Sequence, residues 1–264
     1  MILTAALRLW ILLVRSSHCI SFFSAIKYGI LSRYYVLITP WGLGGQPIMM
    51  GILHKEGVPF GLATSIPMLD LFFMRFAMAL ITTIAFIGVG PLLDPYLFVF
   101  ALIGYFFTSF LPVVLILFSF HPQFSSFVVS LIRQYWFKRT GLKVALKVEE
   151  ALAMYRDAFF LFRKKIWSLL TVFFASVISQ LSLLIIPFGI LLSFVPVFQS
   201  SPSIAFELST LIQFMAMTNT MLGVVPTIGS AGAAEFTFSA IFSTFVIGHD
   251  LFWVTFLWRF LELL

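Results

Sequence analysis

Charge is the first thing this sequence is short of. Of 264 residues only 10% are Asp, Glu, Lys or Arg, while 61% are hydrophobic and 34 are phenylalanine. A soluble domain of this length needs a charged surface, and this chain cannot cover one. Cysteine is nearly absent: Cys19 stands alone, which excludes an intrachain disulfide and a thiolate zinc cluster. His18, His54, His121 and His249 are scattered, with no i,i+4 pair and no HExxH, so no metal site is expected. Walker, GxSxG and dinucleotide-binding fingerprints are also missing, and no cofactor is expected. The net charge of +6 fits the positive-inside bias and anionic lipid better than nucleic acid.

What is present is a series of apolar runs close to the roughly 20 residues needed to cross hydrocarbon. They do not alternate as barrel strands would. The expected fold class is all-α: a polytopic transmembrane helix bundle, read as a single integral membrane domain over 1–264. Runs are expected at 2–14, 19–38, 62–90, 96–119, 166–196 and 204–225. A last helix begins after His249 and Asp250. Met1 leads into ILTAALRLWILLV without a basic leader or cleavage site, and LFWVTFLWRFLELL stops short of a crossing. The chain is therefore expected to be a piece truncated at both ends.

Residues 133–165 carry nine of the sixteen Lys and Arg. The positive-inside rule places this loop in the cytoplasm. Val144, Val148, Leu152, Tyr155 and Phe159 recur at helical spacing. They predict an amphipathic helix on the inner leaflet or under the bundle, or a plain solvated connection.

Two stretches break the pattern. ITPWGLGGQP, residues 38–47, follows one apolar helix and precedes a piece of about a dozen residues, too short to span. PTIGSAGAAE, residues 226–235, repeats the arrangement in the other half. Unpaired backbone groups cost several kcal/mol in hydrocarbon, so such breaks persist only where protein, water or a polar ligand satisfies them. Paired Gly/Pro interruptions in two halves of a chain point to a transporter binding site and suggest a pseudo-repeat. A helix N-terminus exposed there suits an anionic group such as phosphate. Taken singly, each break also reads as an ordinary interhelix turn.

Three charged residues sharpen the pattern. Glu235 is the only acid between Glu207 and Asp250. It faces a wet cavity or complements the dipole of its own helix. Arg75 lies deep in the 62–90 span, and Asp70, five residues away, is poorly placed on the helix to pair with it. Its partner is expected to be Glu235, a lipid phosphate or carbonyls of a broken segment, unless it snorkels or forms a structural ion pair. Arg259 has Glu262 at i,i+3.

Thr39-Pro40-x-Gly42-x-Gly44-Gly45-x-Pro47, then Arg75, then Pro226-x-x-Gly229-x-x-Gly232-x-x-Glu235, then Trp258-Arg259, occur in an order that resembles the transmembrane region of the lysylphosphatidylglycerol synthase family, whose members are described as flippase-like integral membrane proteins. The resemblance covers nearly the whole chain. It implies a bacterial plasma (inner) membrane protein that moves phospholipid, with aminoacylated phosphatidylglycerol or another lipid-linked molecule as the candidate substrate, between leaflets. The lysyltransferase of the best-studied members lies in a soluble domain with no counterpart in these residues, so no enzyme activity is carried over. The substrate-binding positions it implies are Thr39, Pro40, Gly42, Gly44, Gly45, Arg75, Pro226, Gly229, Gly232, Glu235 and Arg259. Gln46-Pro47 stands where many members have an acid, and Thr227-Ile228 with Ser230-Ala231 replaces a more glycine-rich run. The partners implied are membrane lipids, anionic phospholipid above all, with homo-oligomerisation left open. Two alternatives stand beside this reading: a membrane module serving a lipid-modifying enzyme, and a small-solute transporter.

Overall fold

The computed structural model describes residues 2–16, 20–39, 44–120, 130, 166–194, 204–225, 227, 229–243, 246 and 248–263. The basic loop 133–165 lies outside them, as do Pro40, Gly42 and Pro226. The described residues are helical, with no strand among them. In chain order the helices are α1 (Ile2–Arg15), α2 (Phe22–Ile38), α3 (Gly45–Lys55) and α4 (Phe60–Gly88). After a 3-10 turn at Gly90–Leu92 come α5 (Pro95–Phe120), α6 (Ile166–Leu184), α7 (Ile186–Phe194), α8 (Ile204–Leu222), α9 (Ala233–Phe242) and α10 (His249–Leu263).

Three stretches are long and apolar enough to cross a bilayer: Phe60–Gly88, Pro95–Val114 and Ile166–Ser193. The last was expected as one helix over 166–196, and it bends at Ile185. Pro187 has no N–H to return to Leu183, and the Phe188 N–H bonds the Ile185 carbonyl instead, at 3.1 Å. Helix α8 also ends earlier than expected, at Leu222 rather than 225, because the chain turns at Gly223.

Lipid supplies no hydrophobic drive between helices, so close packing and hydrogen bonds must hold them. Gly104 of α5 lies directly on the Thr220 carbonyl of α8, and Gly88 of α4 lies on the Gln213 side chain. Many hydroxyls satisfy themselves within their own helix, as Thr83 does on the Ala79 carbonyl at 2.8 Å and Ser176 on Val172 at 2.8 Å. Phe106, Phe107 and Phe110 are exposed along α5, as lipid-facing side chains should be. Replacing Gly104 by alanine drives a methyl group into the Thr220 carbonyl. The variant is expected to lose about 1–3 kcal/mol as α5 and α8 separate, read from thermal unfolding in detergent.

The core is in two parts. One joins α1, α2, α3, the first half of α4 and the start of α6, through Leu12, Leu53, Ile66, Phe73 and Val172. The other joins the second half of α4 to α7, α8, α9 and α10, through Met78, Ala85, Leu191, Met217, Phe238 and Trp258. Phe238 stacks on Phe242 at 4.1 Å and on Trp258 at 4.4 Å between ring centres. Helices α4 and α6 contribute buried residues to both clusters.

Candidate functional site

The first break is a hairpin. Thr39 ends α2, and its hydroxyl donates to the Tyr35 carbonyl at 2.6 Å and accepts the Gly44 N–H at 2.9 Å. One side chain thus caps the outgoing helix and anchors the turn. Ser32 reaches across to the Gly45 carbonyl at 3.1 Å. A Cβ on Gly44 would sit 2.5 Å from the Thr39 methyl, and one on Gly45 2.5 Å from Val36; only glycine lets α3 start this close to α2. Gly45 lies by Ser32 and Val36, and Glu56 hydrogen-bonds Tyr28, so α3 runs back along α2. With 11 residues, α3 is about 16 Å long, roughly half the hydrocarbon thickness. It is too short to cross on its own, as the sequence predicts.

The second break turns on backbone that L-residues avoid. Gly229, Ser230 and Gly232 have φ of 58°, 57° and 79°. Glu235, in the first turn of α9, accepts the Gly232 N–H at 2.7 Å. Of its two expected roles it takes the helix-terminal one, and it adds a partner. Arg259 of α10 donates from Nε to Glu235 Oε1 at 3.1 Å, from Nη1 to Glu262 Oε2 at 2.7 Å and from Nη2 to the Gly229 carbonyl. The Glu262 contact was legible at i,i+3. The other two were not, because they depend on how α9 folds back on α10. Arg259 therefore holds three points of the break together. Gly229→Ala forces a Cβ into the left-handed region, costing about 1–2 kcal/mol, and against the Leu37 carbonyl, 3.0 Å away. A lower midpoint in detergent unfolding is expected.

That last contact joins the two breaks. Leu37 lies one residue from the end of α2, and Gly229 sits on its carbonyl. Beside it, Arg33 Nη2 donates to the Glu262 carbonyl of α10 at 3.0 Å. The pairing of the two segments, inferred from a repeated composition, is a physical contact.

Arg75 is not paired with Glu235, which Arg259 holds. Nor does it pair with Asp70, whose carboxylate takes Arg8 Nε at 2.6 Å and Nη2 at 3.4 Å. Among the described residues Arg75 has no hydrogen-bond or ion-pair partner. Thr83 of α4 meets Tyr105 of α5 at 2.8 Å, and the neighbouring Gly104 meets Thr220 near the end of α8. The end of α8 is thus level with Thr83. Arg75 lies eight residues, roughly 12 Å, further toward the start of α4, level with the chain that leaves α8 for the second break. It also falls on α4 between Phe73, in the first core cluster, and Met78, in the second.

The structure thus brings Gly229, Gly232, Glu235 and Arg259 into one cluster and sets Thr39, Gly44 and Gly45 against it through α2. Arg75 stays outside both hydrogen-bond networks. The N-terminal amides expected to face a ligand are partly taken: Gly44 by Thr39, Gly232 by Glu235, and Ala234 by the Ser230 carbonyl at 2.9 Å. Sequence reasoning missed Arg8 and Arg33. The signal was there: Arg8 is the only cation in 2–14, and Arg33 shares 19–38 with Lys27 alone.

A family model described as the lysylphosphatidylglycerol synthase TM region matches residues 1–264, the whole chain. No curated protein and no solved structure gives a significant match.

Proposed function

The chain belongs to the lysylphosphatidylglycerol synthase transmembrane-region family, a membrane protein with a lipid-related role, and on that premise we propose that it moves anionic phospholipid between the leaflets of the bacterial plasma membrane. Its basic loop 133–165 lies in the cytoplasm in this reading, and the protein carries out no chemistry on the lipid. The observation that supports it most is the unpaired Arg75 on α4 between the two core clusters. A guanidinium inside a membrane protein is costly without a counter-charge. Arg259, Arg33 and Arg8 each have a protein acceptor, whereas Arg75 has none among the described residues. A lipid phosphate supplies one, and the guanidinium fork matches it well. Thr39, Gly44, Gly229, Glu235 and Arg259 then shape the site rather than bind the headgroup. Their donors and acceptors already serve each other.

The competing reading is a transporter of a small water-soluble solute at the same breaks. Thermal stabilisation of the detergent-solubilised protein separates the two. Short-chain anionic phosphatidylglycerol is expected to raise the unfolding midpoint, with phosphatidylcholine of the same chain length doing less. A ligand at 100 times its dissociation constant stabilises by about 2.7 kcal/mol. Stabilisation by a water-soluble amino acid or ion, with none from phosphatidylglycerol, overturns the lipid reading.

A further inference from the structure

Helix α4 serves as a ruler for the two breaks. Beside its first half, α3 runs back along α2, from Gly45 near Ser32 to Glu56 near Tyr28, and the chain then enters α4 at Phe60. Helices α2 and α3 form a hairpin. Its legs open at the start of α4, and its turn, after Thr39, lies within the bundle. At the far end, Gly88 of α4 lies on Gln213 of α8. Further along α8, Thr220 lies on Gly104, whose neighbour Tyr105 meets Thr83. Helix α8 therefore enters beside the end of α4 and runs inward against it. After the second break α9 packs back along α8. The second hairpin is inserted from the opposite end, and the two turns meet where Gly229 sits on the Leu37 carbonyl.

The meeting is reciprocal. Leu37 is in the last turn of α2 and Glu262 in the last turn of α10, where carbonyls lack a partner in their own helix. The α2 carbonyl is covered by Gly229, and the α10 carbonyl takes Arg33 Nη2 of α2 at 3.0 Å.

Cations are sorted along the same axis. Arg15 closes α1 where α2 begins, with Trp10 on Phe22 at 6.1 Å between ring centres. Lys27 and Lys55 are exposed on the legs of the α2–α3 hairpin. Helix α5 returns to this end, since it starts with Phe98 against Phe86 near the finish of α4. The nine cations of 133–165 follow it in the chain. No Lys or Arg occurs in 76–132 or 166–258, which hold the α4–α5 turn and the links from α7 to α8 and from α9 to α10. The positive-inside rule turns this asymmetry into an orientation.

We propose that the two hairpins are opposed gates. The α2–α3 hairpin is inserted from the cytoplasmic face and α8–α9 from the outer face, as in an inverted repeat, and the seam between their turns is the barrier that parts. Parting leaves the Leu37 and Glu262 carbonyls unmet, which hydrocarbon penalises and a polar headgroup relieves. Arg33 is a positioning residue that fastens the seam. The barrier role rests on the lipid-transport reading, and the opposed insertion does not.

Insertion is tested by side-specific labelling of the full-length protein. Cys19→Ala removes the only cysteine of these residues. Lys55→Cys, Tyr96→Cys and Ser243→Cys, all at exposed positions, are then treated with a membrane-impermeant maleimide in right-side-out and inverted vesicles. Lys55→Cys is expected to react only in inverted vesicles, and the other two only in right-side-out ones. Labelling of Lys55→Cys and Ser243→Cys from the same side overturns the opposed insertion, and the reverse pattern overturns the orientation. The barrier is tested by Arg33→Gln in liposomes with fluorescent phosphatidylglycerol. Loss of a charge-assisted hydrogen bond from the closed seam is expected to speed translocation roughly tenfold, whereas a merely structural role would slow it. Unchanged or slower translocation beside active native protein overturns the barrier role. Native protein that moves no lipid overturns the transport reading and the barrier with it, while the labelling still decides the insertion.

Discussion

Arg259→Ala is expected to be among the most damaging single substitutions in this protein. It removes one guanidinium and strands three acceptors: Glu235, Glu262 and the Gly229 carbonyl. Breaking a buried ion pair from one side costs about 3–5 kcal/mol, mostly through the charge left behind. Glu235 is 40% exposed and water compensates it in part, while Glu262 is 11% exposed and is compensated less. The expected loss therefore lies near the lower bound, about 3 kcal/mol, measured by unfolding of the detergent-solubilised protein. Arg259→Lys keeps the charge but not the fork that reaches three directions, and should fall between. A loss of under about 1 kcal/mol in the alanine variant would mean the cluster behaves as a solvated surface pair, and Arg259 would not be what holds the second break.

Arg75→Leu is expected to show the reverse pattern. With no protein partner to strand, removal of this cation relieves its burial and leaves stability without lipid unchanged or higher. Replacement of buried charge by well-packed apolar groups gains up to about 1–4 kcal/mol in other proteins. Phospholipid binding is expected to suffer. A charge-assisted hydrogen bond contributes about 1.5–3 kcal/mol, which is roughly a 10- to 150-fold loss of affinity for phosphatidylglycerol. Titrating that lipid against the unfolding midpoint of both proteins measures both effects together. If Arg75→Leu is destabilised without lipid to the same degree as Arg259→Ala, Arg75 is a structural cation and not a ligand-binding one.

The contrast between these arginines explains how much of the protein is legible in its sequence. The helices were, since apolar runs of membrane length have few alternative folds. Both breaks were too, since glycine and proline gather at 39–47 and 226–232 and the helices before them end at Ile38 and Leu222. Partnership was not. Arg259 to Glu262 is local and could be read from spacing, but Arg259 to Glu235 and Gly229 spans 24 and 30 residues. Arg8 to Asp70 spans 62, and Arg33 to Glu262 spans 229. Such pairs are set by which helices become neighbours, and apolar helices in lipid carry little pattern that says so. The bend at Ile185 was missed for another reason. Pro67 and Pro112 sit inside helices that continue through them, so a proline alone does not tell a bend from a straight span.

The central claim is that the two joined breaks and Arg75 form a path for a phospholipid headgroup. The most direct test reconstitutes the full-length protein into liposomes with fluorescent phosphatidylglycerol in one leaflet and follows its appearance in the other. The account predicts translocation faster than in protein-free vesicles, and its return to that background in Arg75→Leu. Native protein indistinguishable from empty vesicles, or full activity in Arg75→Leu, would contradict it.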